Sequence, residues 1–419
     1  MRPVPPYPAQ APALHLVDLP SAFRRLAWSG LCSTGADQVV VAAAPLAAVL
    51  LFAAGPAEIG WLQTVQTLPF LLFAIPAGLV ADRLSRRNLL IGAETLRFVS
   101  LMSVVVLAGL GVLGLQTLAL LGFFAALGTV CYFVAVPAMV PQLVPRSTLS
   151  EANRWLELAR SFAYTLGPVL AGSAIQWAGA PSAYALASAL ALAGLVTLTR
   201  LPRDAKTEAP RRRPLLELRQ AADFVAGHRL LRPIFITAVV FNAAWFVLQA
   251  VFVAYALGDL GMSARAVGIT LGLSGVGMVA GAVLAPALSR RLAFGTIVVL
   301  GPLAGFLAAT LVLLTAWLPV PALAGLGFLL FGLGPILWTI STTTLRQVAT
   351  PNAMLGRVSA LLVTATFGAR PVGAAIGAGL AALAGPTACL SVAACGFLVQ
   401  LAVIWLSDVR SLRTLPEAA

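Results

Sequence analysis

Two ionisable side chains stand deep inside apolar runs, and they bound the chemistry open to this chain. Asp37 lies roughly midway along the first long run, within Ser33-Thr34-Gly35-Ala36-Asp37-Gln38. A carboxylate in hydrocarbon costs several kcal/mol unless it is protonated, paired or hydrated, so Asp37 is a candidate for taking up and releasing a proton; a structural hydrogen bond to a neighbouring helix is the other reading. Arg370, followed by Pro371, lies well inside a run near the C-terminus. The two charges can face each other across an interface in one conformation, in which case protonating Asp37 removes half of the contact. An arginine that snorkels or bonds backbone carbonyls is the alternative. Amides and an indole within the apolar runs, Gln63, Gln66, Asn242, Trp245 and Gln249, suit a cavity for an amphipathic organic substrate, although Trp in membrane helices also faces lipid or core.

Other chemistries are poorly served. Cys32, Cys131, Cys389 and Cys395 are scattered through apolar segments without paired metal-ligand spacing, and His15 and His228 fall in a tail and a connecting segment. The lysine at Lys206 lies in a polar linker, so no Gly-Lys-Ser/Thr phosphate loop is formed. Gly275-x-Gly277 lacks the strand and acidic partner of a nucleotide site. Neither a metal nor an organic cofactor is expected, nor an enzyme.

The elements that hold these residues are membrane spans. The chain is 60% hydrophobic and 10% charged, against about 25% charged for a soluble domain. About twelve segments are long enough, at about 20 residues, to cross the bilayer: 26–52, 61–80, 89–110, 115–136, 156–177, 184–198, 233–256, 267–288, 296–317, 322–340, 361–383 and 389–406. A net charge of +13 suggests nucleic acid in a soluble chain. Here the arginines gather in loops that an even number of spans places together, such as Arg24, Arg25, Arg86, Arg87, Arg290 and Arg291. That is the positive-inside bias: both termini and the central loop are expected in the cytoplasm, with the basic face against anionic lipid. Residues 1–22 are read as an N-terminal tail without a cleavable leader, 23–200 as one six-helix bundle, 201–231 as a linker with an amphipathic helix, 232–408 as a second bundle and 409–419 as a C-terminal tail. On the amphipathic helix Leu215, Leu218, Ala222 and Val225 form the apolar face, expected on the inner membrane surface.

Between the second and third spans stands Gly78-Leu79-Val80-Ala81-Asp82-Arg83-Leu84-Ser85-Arg86-Arg87, read as a tight loop. Its Gly-x-x-x-Asp-Arg-x-x-Arg-Arg pattern resembles the signature loop of the major facilitator superfamily of transporters, with Ser85 where that family usually has Gly. In the fifth span Gly167-Pro168-x-x-x-Gly172 resembles the family's antiporter motif, with Ala171 in place of a glycine; proline bends the helix and small residues admit a neighbouring backbone. Glu94 and Arg97, at i and i+3, read as a pair near the cytoplasmic end of the third span, able to join the loop arginines, and Arg154, Glu157 and Arg160 line the same end of the fifth. The fourth span has no arginine, unlike many drug:proton antiporters. A weak internal repeat relates the halves: Pro145, Leu149 and Gly167 map at an offset of about 206 onto Pro351, Leu355 and Gly373.

The resemblance implies an all-α membrane protein of twelve transmembrane helices in two pseudo-symmetric six-helix bundles. Phe23-Arg24-Arg25, Asp37, Leu68-Pro69, Val144-Pro145 and Ala152-Asn153 are similar to the exporter branch that contains macrolide-efflux and enterobactin-exporter proteins. This implies alternating access around a central site in the cytoplasmic (inner) membrane, driven by the proton gradient, with export of a drug, antibiotic or siderophore by a monomer. In that family the loop, Gly78, Asp82, Arg83, Arg86 and Arg87 here, latches the cytoplasmic side, with Asp82 near the N-terminus of the eleventh helix. A lipid-like flippase or a solute importer on the same fold are the alternatives, separable by a lipid-transport assay and by accumulation with an uncoupler.

Overall fold

The computed structural model describes residues 19–145, 148–202 and 214–415; within these, the side chains of Leu79, Ala81, Asp82, Arg83, Ala138, Ser150, Pro214, Leu215, Asn352 and Ala353 are not described. Residues 1–18 of the expected N-terminal tail, 203–213 of the linker, 416–419 of the C-terminal tail and the latch side chains of Asp82 and Arg83 therefore lie outside the described residues or side chains.

The first half is built from α1 (Ser21–Phe52), α2 (Pro56–Arg83), α3 (Arg86–Gly109), α4 (Leu115–Leu143), α5 (Leu149–Ala178) and α6 (Ala180–Thr199). A short helix, α7 (Pro214–Gly227), precedes α8 (Leu231–Gly258), α9 (Ala264–Arg291), α10 (Phe294–Leu314), α11 (Pro321–Ala349) and α12 (Asn352–Trp405). Within α12, Gly385 has φ 78° and ψ 179°, so the long helix is two crossings joined at that residue. Gly179, 206 residues earlier between α5 and α6, has nearly the same conformation at φ 79° and ψ 171°. Only glycine adopts this backbone without strain, so the repeat is written into the turn chemistry as well as the hydropathy. Counting both parts of α12 and leaving out α7, twelve helical segments cross among the described residues. Ten described helices are long and apolar enough by composition alone; α5 is not among them, and α12 counts once.

Two bundles result. α1, α3, α4 and α6 surround one another in the first; α8, α10, α11 and α12 do so in the second. The bundles meet along α2–α12 and α5–α9. We call the side on which α1 begins and α12 ends the terminal side, and the other the far side. Both bundle contacts include a close approach toward the far side: a Cβ on Gly60 would fall 2.6 Å from the Ala378 Cα, and one on Gly172 would fall 3.0 Å from the Gly268 Cα, while α5 and α9 stay close to mid-helix, where a Cβ on Gly275 would fall 2.5 Å from the Thr165 Cα. Ala378 is 206 residues after Gly172, so the two contacts are the same contact made twice. In lipid, where apolar side chains gain little by leaving the solvent, close backbone approach of this kind is a principal source of helix association.

The signature stretch is not a loop along its length. α2 continues through Arg83, with the Leu84 amide still bonded to the Val80 carbonyl at 2.8 Å, and the turn is Leu84-Ser85 alone. Ser85 has φ −57°, and its Oγ accepts the Asn88 amide at 3.3 Å as the N-cap of α3. Negative φ makes glycine unnecessary, and the hydroxyl satisfies a helix-end donor that glycine cannot. The buried face of α7 is turned from the expected one. Its buried residues are Ala221 and Val225, with Ala222 exposed, and it packs on α8 and α12. Arg357 of α12 fixes it by donating to Gln220 at 2.9 Å. The C-terminal residues are docked likewise: the amides of Phe294 and Gly295 donate to the carbonyls of Arg413 and Leu412.

Candidate functional site

A cavity of about 280 Å³ lies between the bundles, about midway along the crossing helices. From the first half it is lined by Asp37, Gln63 and Gln66, and from the second by Asn242, Trp245, Gln249 and Arg370. All seven residues singled out for coupling or cavity lining are thus brought together at one place.

Their partners differ from those expected. Asp37 and Arg370, both described, are not joined by an ion pair and bond elsewhere. The Arg370 guanidinium lies over Phe367 at 4.1 Å, Phe70 at 5.2 Å and Phe246 at 5.7 Å, and its Nε donates to Asn242 Oδ1 at 3.4 Å. Three aromatic faces supply attraction for a cation without neutralising it. Phe70 comes from the first bundle, so the second bundle's cation reaches across the interface. Asp37 accepts from Thr129 Oγ1 at 3.0 Å, and that oxygen accepts from Arg97 Nη2 at 2.9 Å. Arg97 is ion-paired to Glu94 and donates to Ser33, whose hydroxyl in turn donates to Glu94 at 2.7 Å.

Glu94 and Arg97 are therefore not part of a network at the membrane surface. They are 0% and 2% exposed, eight and eleven residues into α3, or roughly 12–17 Å at the helical rise. The sequence reading placed them too shallow because the polar residues nearest in sequence are the loop arginines. In space the nearest are Ser33 and Thr129, on α1 and α4. Gly128 beside Thr129 lets α4 approach α3, since a Cβ there would meet the Ala93 carbonyl at 2.6 Å. The remaining charges at the terminal end of α5 form two separate pairs, Arg154 with the half-buried Glu151 at 2.8 Å and Arg160 with Glu157, both exposed, at 2.7 Å. Arg154 thus pairs with Glu151, one turn back, not with Glu157, and surface pairs of this sort contribute about 0–1 kcal/mol.

The other candidates have definite places. Gln63 Nε2 donates to the Gln249 carbonyl at 3.1 Å, a hydrogen bond from one bundle to the other. Gln66 Nε2 is buried without a partner and occupies space that Gly122 leaves open. Trp245 lines the cavity and packs with Phe331 at 4.8 Å and Phe328 at 5.8 Å. Asn242 Nδ2 donates to the Ala238 carbonyl at 2.9 Å, which turns its Oδ1 toward Arg370. Gly167 faces α1, where a Cβ would come 2.6 Å from the Gln38 Cβ; Gly373, its repeat mate, faces α8 at Ala243 in the same way. Gly78 has no atom within 4 Å of a built Cβ. Arg87 donates to the Leu201 and Thr199 carbonyls at 2.9 and 2.6 Å, at the end of α6.

Two bundles related by a repeat, touching through paired small residues and enclosing a polar cavity, form the scaffold on which comparison with known proteins bears. The sequence model described as Major Facilitator Superfamily matches residues 26–374. The chain belongs to that family. As a member of the Major Facilitator Superfamily it is a multi-pass membrane transporter and not an enzyme. Among relatives, it is 30% identical over 349 residues to the enterobactin exporter EntS of Escherichia coli O1:K1, covering 81% of each chain. It is 27% identical over 365 residues to EntS of Citrobacter koseri, covering 86% of each. Solved structures with the same fold include a point mutant of the nucleoside transporter NupG, with TM-score 0.75, 13% identity and coverage of 92% of this chain and 99% of that one. A bacterial homologue of the iron transporter ferroportin, in an inward-facing state, aligns with TM-score 0.72, 18% identity and coverage of 94% and 99%.

Proposed function

We propose that this transporter is a proton-coupled exporter of a small amphipathic organic compound, working as a monomer in the cytoplasmic membrane by alternating access, with the proton gradient as its energy source and its terminal side in the cytoplasm. The observation that carries the reading is the cavity between the bundles, where the carboxylate of Asp37 from one half and the guanidinium of Arg370 from the other line one space among amides and aromatic rings. Asp37 borders both the cavity and the buried chain through Thr129 to Arg97 and Glu94, so its charge state is felt by solute and protein alike. A proton or solute shifts a two-state equilibrium only by its differential affinity for the two states. Charges contributed by both bundles supply that difference, because rocking changes their separation. The enterobactin-exporting relatives support a siderophore-like cargo.

The test uses sealed vesicles containing the reconstituted protein, preloaded with enterobactin, under an imposed pH gradient. Wild type is expected to move the solute at a rate that collapses with an uncoupler. Asp37→Asn is expected to lose the response to the gradient while still exchanging solute down its own concentration gradient. Gradient-driven transport by Asp37→Asn at the wild-type rate would remove the residue from the coupling scheme.

A further inference from the structure

A second cavity, about 330 Å³, opens on the terminal side of the second bundle. It is lined by the start of α8, by the terminal half of α11 and the terminal parts of both crossings of α12, with Gly301 and Pro302 of α10 and Val225 of α7, and it shares Phe241, Asn242 and Arg370 with the central cavity. The two cavities therefore meet at Arg370. Among the residues that line this second cavity are two arginines, Arg346 and Arg370, and neither an aspartate nor a glutamate. Arg346 lies three residues from the end of α11 and marks the mouth, while Arg370 marks the deep end.

The unsatisfied atoms are donors. The Nε of Arg346 and the Nε2 of Gln400, both buried, have no hydrogen-bond partner, and both residues line the cavity. Buried polar groups are nearly always paired, and the orphans beside this cavity are N–H donors held beneath its lining, with no orphan acceptor among the lining residues. Thr339, Thr343, Trp338 and Phe235 are also in the lining, giving hydroxyls beside aromatic faces. A guanidinium binds a carboxylate or similar oxyanion with charge-assisted, often bidentate bonds, whereas an organic cation here meets two like charges.

We propose that this cavity is the terminal-side entry subsite of the transport path, and that it selects organic anions, an acidic group carried on an aromatic body, handed from Arg346 to Arg370. The inference names a substrate class for the transport reading above and rests on it only for the word entry; the binding preference stands or falls alone.

The experiment measures equilibrium binding to the purified full-length protein in detergent, with no gradient, using three probes of one shape: 2-naphthylacetate, its neutral amide, and 2-naphthylmethyl-trimethylammonium. Wild type is expected to bind the anion at least about tenfold more tightly than the amide, and the cation most weakly. Arg346→Gln and Arg370→Gln are each expected to cut the anion's advantage about tenfold and leave amide binding nearly unchanged, while Arg346→Lys keeps most of the preference. Retention volume and helicity establish that each variant is folded. Equal affinity for anion and amide, a preference for the cation, or equal loss for both probes in the arginine variants overturns the proposal. Displacement of the anion by phosphatidylglycerol with the same dependence on Arg346 also overturns it, by reassigning the site to a lipid headgroup. Anion selectivity without gradient-driven transport removes proton coupling and leaves the subsite; coupled transport without anion selectivity does the reverse.

Discussion

Replacing Arg97 by Met removes the cation from a carboxylate that is fully buried. Glu94 is then left with the Ser33 hydroxyl as a partner, and its Oε2, which already lacks a hydrogen bond, gains none. Breaking a buried pair by removing one member costs about 3–5 kcal/mol, because the surviving charge is uncompensated. The Thr129 hydroxyl also loses its donor, so the link to Asp37 is cut at Arg97. Removing both charges together is different: Glu94→Gln with Arg97→Met leaves no buried charge, and such replacements are near neutral or stabilising. The coupling energy between the two sites is therefore expected at about 2–3 kcal/mol or more, the upper part of the range for residues in contact. Resistance of the purified protein to unfolding by denaturing detergent reads it. Arg97→Met is expected to unfold readily, and the double variant to recover most of wild-type resistance. The recovered protein is nonetheless expected to transport poorly, since the chain from Asp37 is still broken. Additive losses in the double variant would refute the argument that the pair is one buried unit, and full transport by a stable double variant would refute its connection to Asp37.

Gly60→Val places branched atoms against Ala378, and overpacking of this kind costs about 1–3 kcal/mol. Because the contact belongs to the far-side-closed arrangement, the equilibrium is expected to move about 5- to 150-fold toward far-side opening, read as a longer distance between spin labels at Glu58 and Leu383; an unchanged distance would contradict the placement of the closure. Thr129→Val keeps the shape of the side chain and removes both charge-assisted bonds, worth roughly 1.5–3 kcal/mol each; coupled transport should fall while expression holds, and undiminished coupling would count against the chain. His228 gives a pH dependence. Its Nδ1 accepts the amides of Leu230 and Leu231 at 3.2 and 3.3 Å, and burial lowers its pKa below the ordinary value. The stabilisation is thus fully present above the unfolded value of about 6.5 and is lost as pH falls through the lower folded value. Amide hydrogen exchange in the α7–α8 elbow, corrected for intrinsic rates, should rise on going from about pH 7.5 to about pH 5.5, and a flat response would exclude the histidine as its clasp.

What the sequence made legible follows from what membranes enforce. Long apolar runs must be helices because hydrocarbon satisfies no backbone groups, so the spans, the break near Gly385 and the repeat were all open to reading. Asp37 and Arg370 stood out because buried charge is rare. Their surroundings did not. Ser33 and Thr129 are ordinary residues in helices that are apolar on every side, and such helices carry little periodic signal to say which face meets which neighbour. Arg370 and Phe70 are 300 residues apart in sequence and meet only because the bundles meet. For the same reason Glu94 and Arg97 were assigned to the wrong depth: their spacing predicted the pair, and only the packing of α1 and α4 against α3 shows where it sits. Thr129 had one available signal, the preceding Gly128, which marks a close helix approach and hence a face turned inward.

The repeat itself separates motion from recognition. Residues 145–179 and 351–385 correspond at a constant offset of 206, and within that register the mechanical features recur: Gly167 and Gly373 each face the first helix of their own bundle, Gly172 and Ala378 each close against the other bundle, and Gly179 and Gly385 turn the chain alike. The chemistry does not recur. Tyr164 stands in the first half where Arg370 stands in the second, both lining the central cavity. α10, the counterpart of α3, carries no ionisable residue to match Glu94 and Arg97. If the small-residue contacts serve one shared rocking motion, Gly60→Val and Gly172→Val should shift the same conformational equilibrium in the same direction by similar factors. Substitutions of Arg97 and Arg370 should part company, the first acting on coupling at fixed solute affinity and the second on solute affinity. Opposite shifts from the two glycine variants would mean that the two interfaces do not move as one, and the twofold design inferred from the repeat would fail as a description of the motion.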